Sequence, residues 1–265
     1  MRTIYYCFPH GKHKVLTMSY DDGNAADRRL VEIFNKYGIK GTFHLNAGLL
    51  DKGDRISAGE VKSLYEGHEV AAHAYTHPTL ERCPNEQVVN QIMEDRKVLE
   101  SLVGYPVRGL SYPNGSHNRR IRNLLPCVGI EYSRVVESTR GFAMPDDLYQ
   151  WRPTCHHNQD LMSLAETFVN QSKPAHLIMM YVWGHSFEFD RQGNWDLIER
   201  FCEFVGGRSD IWYATNIEIV DYLDTLKRLK FSAAGDMVYN PSAATAWISV
   251  DGSVVEVEGG SLVNL

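Results

Sequence analysis

Over residues 14–20 (KVLTMSY), Leu16, Met18 and Tyr20 alternate with small polar residues, the period of a strand. Over residues 26–37 the period changes. Leu30, Val31, Ile33, Phe34 and Tyr37 recur at helical intervals and Gly38 follows, which predicts a helix with a glycine C-cap. The exchange repeats down the chain, with strand-like runs at 39–46, 68–72, 107–111, 130–135, 176–183 and 211–215. Helical patterns lie between them at 57–67, 85–103, 118–125, 161–171 and 194–205, and a last one runs over 216–229. Ser57 and Glu60 form a capping-box pattern at the first of these. In the longest, Val88, Val89, Ile92, Leu99 and Leu102 mark a buried face. Seven βα units thus precede residue 230, and such alternation predicts a parallel sheet with helices outside, doubly wound or closed as a barrel.

After Leu229 the pattern is β-rich: runs at 243–250 and 253–257 flank Asp251-Gly252, a pair suited to a type I′ hairpin. Two units are expected: an α/β body over residues 1–229, and a C-terminal β-hairpin extension over 230–265 packed on one edge or end of it. Composition narrows the function. With 27 Lys+Arg against 33 Asp+Glu, the net charge is −6. That argues against a nucleic-acid partner, which would call for an excess of cations. The N-terminus lacks the roughly 7–15-residue apolar core of a signal peptide, and no run approaches the ~18 apolar residues of a membrane span, so a cytoplasmic chain is expected, with no membrane partner. Five scattered cysteines without CxxC spacing suggest neither disulfides nor a cysteine metal site. Oligomeric state is not legible.

Eleven histidines draw attention to chemistry. Asp21-Asp22-Gly23 follows the first strand, where α/β folds gather ligands, although the same residues also suit an N-cap and a turn. His73 and His77 follow the third strand. Two imidazoles four residues apart can converge on one ion, and Asp22 would complete a two-histidine, one-carboxylate set with open positions. His185, released by Gly184 at the end of the sixth strand-like run, is placed for proton exchange near neutral pH, with a core histidine as the alternative. Cys155-His156-His157 has no spacing that ties it to that set and is read as a loop or as support for the site.

Together, SYDDG at residues 19–23, HAYTH at 73–77 and the histidine after the sixth run resemble the polysaccharide deacetylases of the NodB-homology group, carbohydrate esterase family four. The resemblance covers about residues 14–229. It implies a distorted seven-stranded (β/α) barrel, here with the small C-terminal β-rich appendage. It further implies that Asp21 is the general base, that Asp22, His73 and His77 are the metal ligands, and that His185 is the general acid. The family's third motif, Arg-x-Pro-Tyr-Gly, is represented by Ser111-Tyr112-Pro113-Asn114-Gly115. Tyr112 and the Asn114 backbone N–H would face substrate and oxyanion, and Ser111 stands where the base-orienting arginine is expected. Arg152 is the candidate to supply that guanidinium from another loop, and Trp151 to line the acyl pocket.

The implied function is metal-dependent removal of acetyl groups from N-acetylated, or O-acetylated, sugars or oligo- and polysaccharides. Zn2+ is the default metal, although two imidazoles and a carboxylate also accept Co2+, Ni2+, Mn2+ or Fe2+. Two alternatives keep the fold: a hydrolase of a non-sugar amide or formamide, and a catalytically silent carbohydrate-binding protein.

Overall fold

A computed structural model describes residues 2–172 and 174–265 of the chain. A first strand, β1 (Ile4–Cys7), precedes the main sheet. The parallel strands are β2 (Lys14–Asp21), β3 (Gly41–Leu45), β4 (Glu69–Ala72), β5 (Gly109–Ser111), β6 (Tyr132–Arg134), β7 (Cys155–His156), β8 (Ile178–Gly184) and β9 (Ile211–Tyr213). Seven follow one path, β6-β5-β4-β3-β2-β8-β7, and β9 joins β2. Lys14–Leu16 pair with β9 and Met18–Asp21 with β3, so these two strands share one edge of β2 while β8 takes the other. The sheet curls until its ends meet. A single parallel bridge between Arg134 and Trp151 ties β6 to the segment leading into β7, through Trp151 N–H to Ser133 O (3.0 Å) and Val135 N–H to Trp151 O (3.1 Å). The result is a distorted (β/α) barrel.

The helices are α1 (Asp27–Lys36), α2 (Val61–Leu64), α3 (Asn85–Val103), α4 (Arg119–Leu124), α5 (Leu161–Asn170), α6 (Phe187–Gln192), α7 (Trp195–Val205) and α8 (Asn216–Arg228). Strand parity divides the core between them and the barrel interior. Leu16, Met18 and Tyr20 of β2, with Met180 and Val182 of β8, join the larger apolar cluster that also holds Leu30, Phe34, Phe168 and Phe201 of the helices. Their neighbours of opposite parity face inward, where Val15, Met179 and Tyr181 give way to Thr17, Ser19 and Asp21 toward the carboxyl ends of the strands. Every residue of β2 is buried, because a central parallel strand is covered on both faces.

Several expectations change. The helix expected at 57–67 is a 3-10 turn at Ala58–Glu60 followed by the single turn α2. Ser57 Oγ bonds the Glu60 carboxylate (3.1 Å) instead of a backbone N–H, so no capping box forms there; Thr215 and Glu218 form one at α8. Strands β1 and β7 and helix α6 are additions, too short to leave a periodic pattern. The hairpin of β12 (Ala246–Val250) and β13 (Ser253–Val257) forms as expected, with positive φ at both Asp251 (50°) and Gly252 (88°) as a type I′ turn requires. Its sheet also takes β1 from the opposite end of the chain. A second small sheet combines β10 (Lys230–Phe231), β11 (Met237–Tyr239) and β14 (Leu262–Asn264). Ile248 and Val250 pack with Phe8, Ile219, Tyr222 and Leu226 against the barrel. Among the described residues all five cysteines are free, and no helix is long and apolar enough to cross a membrane.

Candidate active site

The interior parity of the strands places polar groups in a column that ends at the carboxyl rim. Ser19 Oγ meets His44 Nε2 (3.0 Å), and Glu69 accepts from Tyr132 Oη (2.7 Å) and Thr42 Oγ1 (2.9 Å). Above them Asp21, the last residue of β2, accepts from Ser111 Oγ (3.0 Å) at the end of β5 and forms an ion pair with Arg134 at the end of β6. Both partners of that pair are buried. Burial alone would raise the Asp21 pKa, but the Arg134 guanidinium together with His73, His44 and His185 outweighs it and holds the carboxyl well below the usual carboxylate range. Asp21 is therefore ionised across the neutral range.

Arg134, and not Arg152, supplies the guanidinium beside Asp21; Arg152 is exposed. Its position had a sequence signal, a cation at the carboxyl end of the run expected at 130–135. The planar group also lies 4.4 Å from the centroid of the Trp183 ring. Ser111 is linked to Asp21 through its hydroxyl.

The next residue, Asp22, and the turn after β4 form the second part of the site. Asp22 and His77 have positive φ (83° and 59°), as does Ala74 (59°). Such backbone costs on the order of 1–3 kcal/mol per non-glycine residue and persists only when its surroundings hold it. At the turn after β4, α3 does so: Asp95 accepts the His73 N–H (2.9 Å), and Gln91 accepts the N–H groups of Tyr75 (3.0 Å) and Thr76 (2.9 Å). The fold-back brings the His73 and His77 rings to 4.8 Å. Asp22 Oδ1 lies 3.8 Å from His73 Nε2 and 3.7 Å from His77 Nε2, and it is buried without a hydrogen-bond partner.

Three donor atoms facing one point, with an unsatisfied carboxylate oxygen among them, fit a divalent cation. His73 Nδ1 lies 2.8 Å from the Ser111 carbonyl; a proton there leaves Nε2 as the ligand nitrogen. Burial pushes the His73 pKa down to about 4, so the ring is neutral, as ligation requires. The other Asp22 oxygen lies 3.5 Å from Arg55.

His185 follows β8, with Nδ1 3.4 Å from Glu188 Oε1. Burial opposes its positive charge, but Glu188, Asp21 and Asp22 outweigh that, and its pKa is raised above 6.5. Glu188, one helical turn onward, is a residue the sequence reading missed; its i, i+3 spacing from His185 was the available signal. His156 and His157 also meet it, with Nε2 atoms 3.0 and 3.1 Å from Glu188 Oε2.

The remaining candidates are less central. Tyr112 is buried and donates its hydroxyl to Tyr149 O (2.7 Å), so it does not present that group to substrate. Trp151 is wholly buried, edge-on to Tyr132 and Tyr181 in the core, while Trp183 lies beside His185 at the rim. Asn114 is exposed at a turn with φ 57°, its side chain donating to Thr79 Oγ1 (3.2 Å). A cleft of about 560 Å³ lined by Lys12, Lys14 and Asp210 contains none of these residues.

Residues 9–133 match the family model described as polysaccharide deacetylase. Over that segment, slightly less than half of its length, the chain is similar to the polysaccharide deacetylases. A peptidoglycan-N-acetylglucosamine deacetylase of Listeria monocytogenes is 23% identical over 124 residues, which are 46% of this chain and 26% of that relative. The chain thus spans about a quarter of the length of that curated relative. A candidate polysaccharide deacetylase from Mycobacterium smegmatis shares the fold at a TM-score of 0.64, with 17% identity over 83% of this chain and 93% of the other. A pseudoenzyme of carbohydrate esterase family 4 from Bacillus anthracis also shares the fold, at a TM-score of 0.50, with 18% identity over 82% of this chain and 68% of its own. The barrel is therefore common to proteins of different activity, and function has to be argued from the side chains at the rim.

Proposed function

We propose that the chain is a metal-dependent hydrolase that removes acetyl groups from N-acetylated sugars. The observation that carries this is the convergence of Asp22, His73 and His77 beside an ionised, buried Asp21, with His185 across the same rim. Zn2+ is the first choice for this donor set, and Co2+, Ni2+, Mn2+ and Fe2+ are accepted by the same ligand types. A divalent ion held by these three side chains would polarise the acyl carbonyl and acidify water.

Asp21 is the proton acceptor for the attacking water. Ser111 and Arg134 fix its carboxylate so that it is already ionised and need not reorganise. The Asn114 backbone N–H is the candidate donor to the oxyanion. His185 delivers a proton to the leaving amine nitrogen, with Glu188 near Nδ1 leaving Nε2 for that transfer. Water oxygen bonds to the acyl carbon, the C–N bond breaks, and acetate and a free amine leave.

The name of the Listeria relative supports N-acetylglucosamine units as the sugar class. A second reading, hydrolysis of a non-sugar amide, draws support from Ser111 at the arginine position of the third motif and from Trp151 lying in the core. Acetate release from N-acetylglucosamine oligomers and peptidoglycan fragments, measured beside turnover of simple amides and formamides, separates the two. Release from the glycans that is abolished by chelation and by His73→Ala, with the fold retained, supports the proposal. Full activity after metal removal, or turnover of the simple amides alone, overturns it.

A further inference from the structure

A second donor set lies outside the three ligands already described. His156 closes β7, His157 follows it, and Glu188 stands in the first turn of α6. Their Nε2, Nε2 and Oε2 atoms are mutually close: 3.0 and 3.1 Å separate the two imidazoles from the carboxylate oxygen, and the rings are 4.4 Å apart. Successive strand residues ordinarily point to opposite faces; the strand ends at His156, and both rings turn toward the same oxygen.

The decisive group is His157. It has no exposed surface, its ring lies between Tyr20 (5.7 Å) and Phe189 (4.2 Å), and neither ring nitrogen has a hydrogen-bond partner. The 3.1 Å approach to Glu188 thus lacks the direction of a hydrogen bond. Gly184 is required beside it, since a Cβ there would fall 2.0 Å from His157 Nδ1. A buried, rigid imidazole without a partner is costly unless something accepts its lone pair.

We propose that His156, His157 and Glu188 form a second binding site for a first-row divalent cation of the zinc type. Two imidazoles and a carboxylate are a complete protein set for such an ion when water fills the remaining position. Glu188 Oε2 faces both imidazoles and also accepts the His185 backbone N–H (3.3 Å), and Oε1 lies toward the His185 ring. The site therefore stands one carboxylate away from the proposed general acid, on different residues from Asp22, His73 and His77.

The test is metal stoichiometry of the full-length chain, stripped of metal and titrated with Zn2+ alone by calorimetry, with metal content measured after dialysis. Wild-type protein is expected to bind two equivalents. His77→Ala, which breaks the first set, should keep one, and so should His156→Ala, with affinity at the lost site down by more than about 100-fold, since even indirect partners of a metal are worth 10–100-fold. Glu188→Gln repeats the measurement in case His156→Ala is poorly folded by circular dichroism, and Co2+ absorption reports coordination independently of activity. A single wild-type equivalent that His77→Ala abolishes overturns the second site, as do two equivalents retained in both His156→Ala and Glu188→Gln. A single equivalent retained in His77→Ala and lost in His156→Ala supports it, and then overturns the first set instead.

Discussion

The two histidine–carboxylate clusters at the rim of the barrel are built in opposite ways. The first takes Asp22 from the loop after β2 and His73 and His77 from the turn after β4, and two of its three residues hold left-handed backbone. Its geometry is imposed from outside, by Asp95 and Gln91 of α3. The second uses two consecutive residues and one turn of α6, with no positive φ among them. It is held by packing, with His157 enclosed by Tyr20, Phe189 and Gly184. Strained loops braced by hydrogen bonds are what a reacting centre uses to keep open positions, whereas an apolar enclosure fixes a ligand with little freedom to spare.

The largest effect expected is on the ion pair beneath the first cluster. Arg134→Ala leaves the buried Asp21 carboxylate without its counter-ion, and should destabilise the fold by about 3–5 kcal/mol in urea unfolding at neutral pH. The pH dependence has a definite sign. The folded Asp21 pKa is depressed, so its contribution is present above the unfolded carboxylate value of about 3.9 and is lost as pH falls toward the folded value. The acid-side loss of stability in wild type should accordingly be shallower in Arg134→Ala. An unchanged unfolding midpoint would show that the pair does not support this side of the molecule.

His73→Ala should then lower metal affinity at the first cluster by more than about 100-fold while the fold persists, read by calorimetry and a thermal melt. Retained affinity would move the ion elsewhere. Glu188→Gln joins the two clusters: loss of its charge should lower the His185 pKa, because that carboxylate is among the groups that raise it. The alkaline limb of the activity profile should shift to lower pH, and a limb that stays in place would separate His185 from the second cluster. The smallest effect is expected for Arg152→Ala, an exposed position, with stability within about 0.5 kcal/mol of wild type and acetate release unchanged.

Much of the first cluster was legible because its information is local. Asp21, Asp22, His73 and His77 sit at the junctions where a strand period stops, and the carboxyl ends of parallel strands converge. Arg134 was not assigned to Asp21, since 113 residues separate them and no short spacing reports that two strand ends will face each other. Arg152 is suggested by the sequence only through its place beside Trp151, and its side chain is exposed. Trp151 itself shows the same limit: a large aromatic next to a motif can line a pocket or close the barrel, and the bridge to β6 decides for closure. His156 and His157 have no spacing that ties them to the first set, and only the end of β7 after His156 lets both rings meet Glu188.

Periodicity along the chain was enough to determine the longer strands and helices of the barrel, the hairpin at Asp251-Gly252, and which parity of β2 carries polar groups, because each depends on residues within a few positions of one another. Which guanidinium holds Asp21, which tryptophan reaches the rim, and whether two adjacent histidines share one carboxylate were decided by sheet curl and closure. Those contacts join segments tens of residues apart, and their geometry exists only once the barrel has brought the strand ends together.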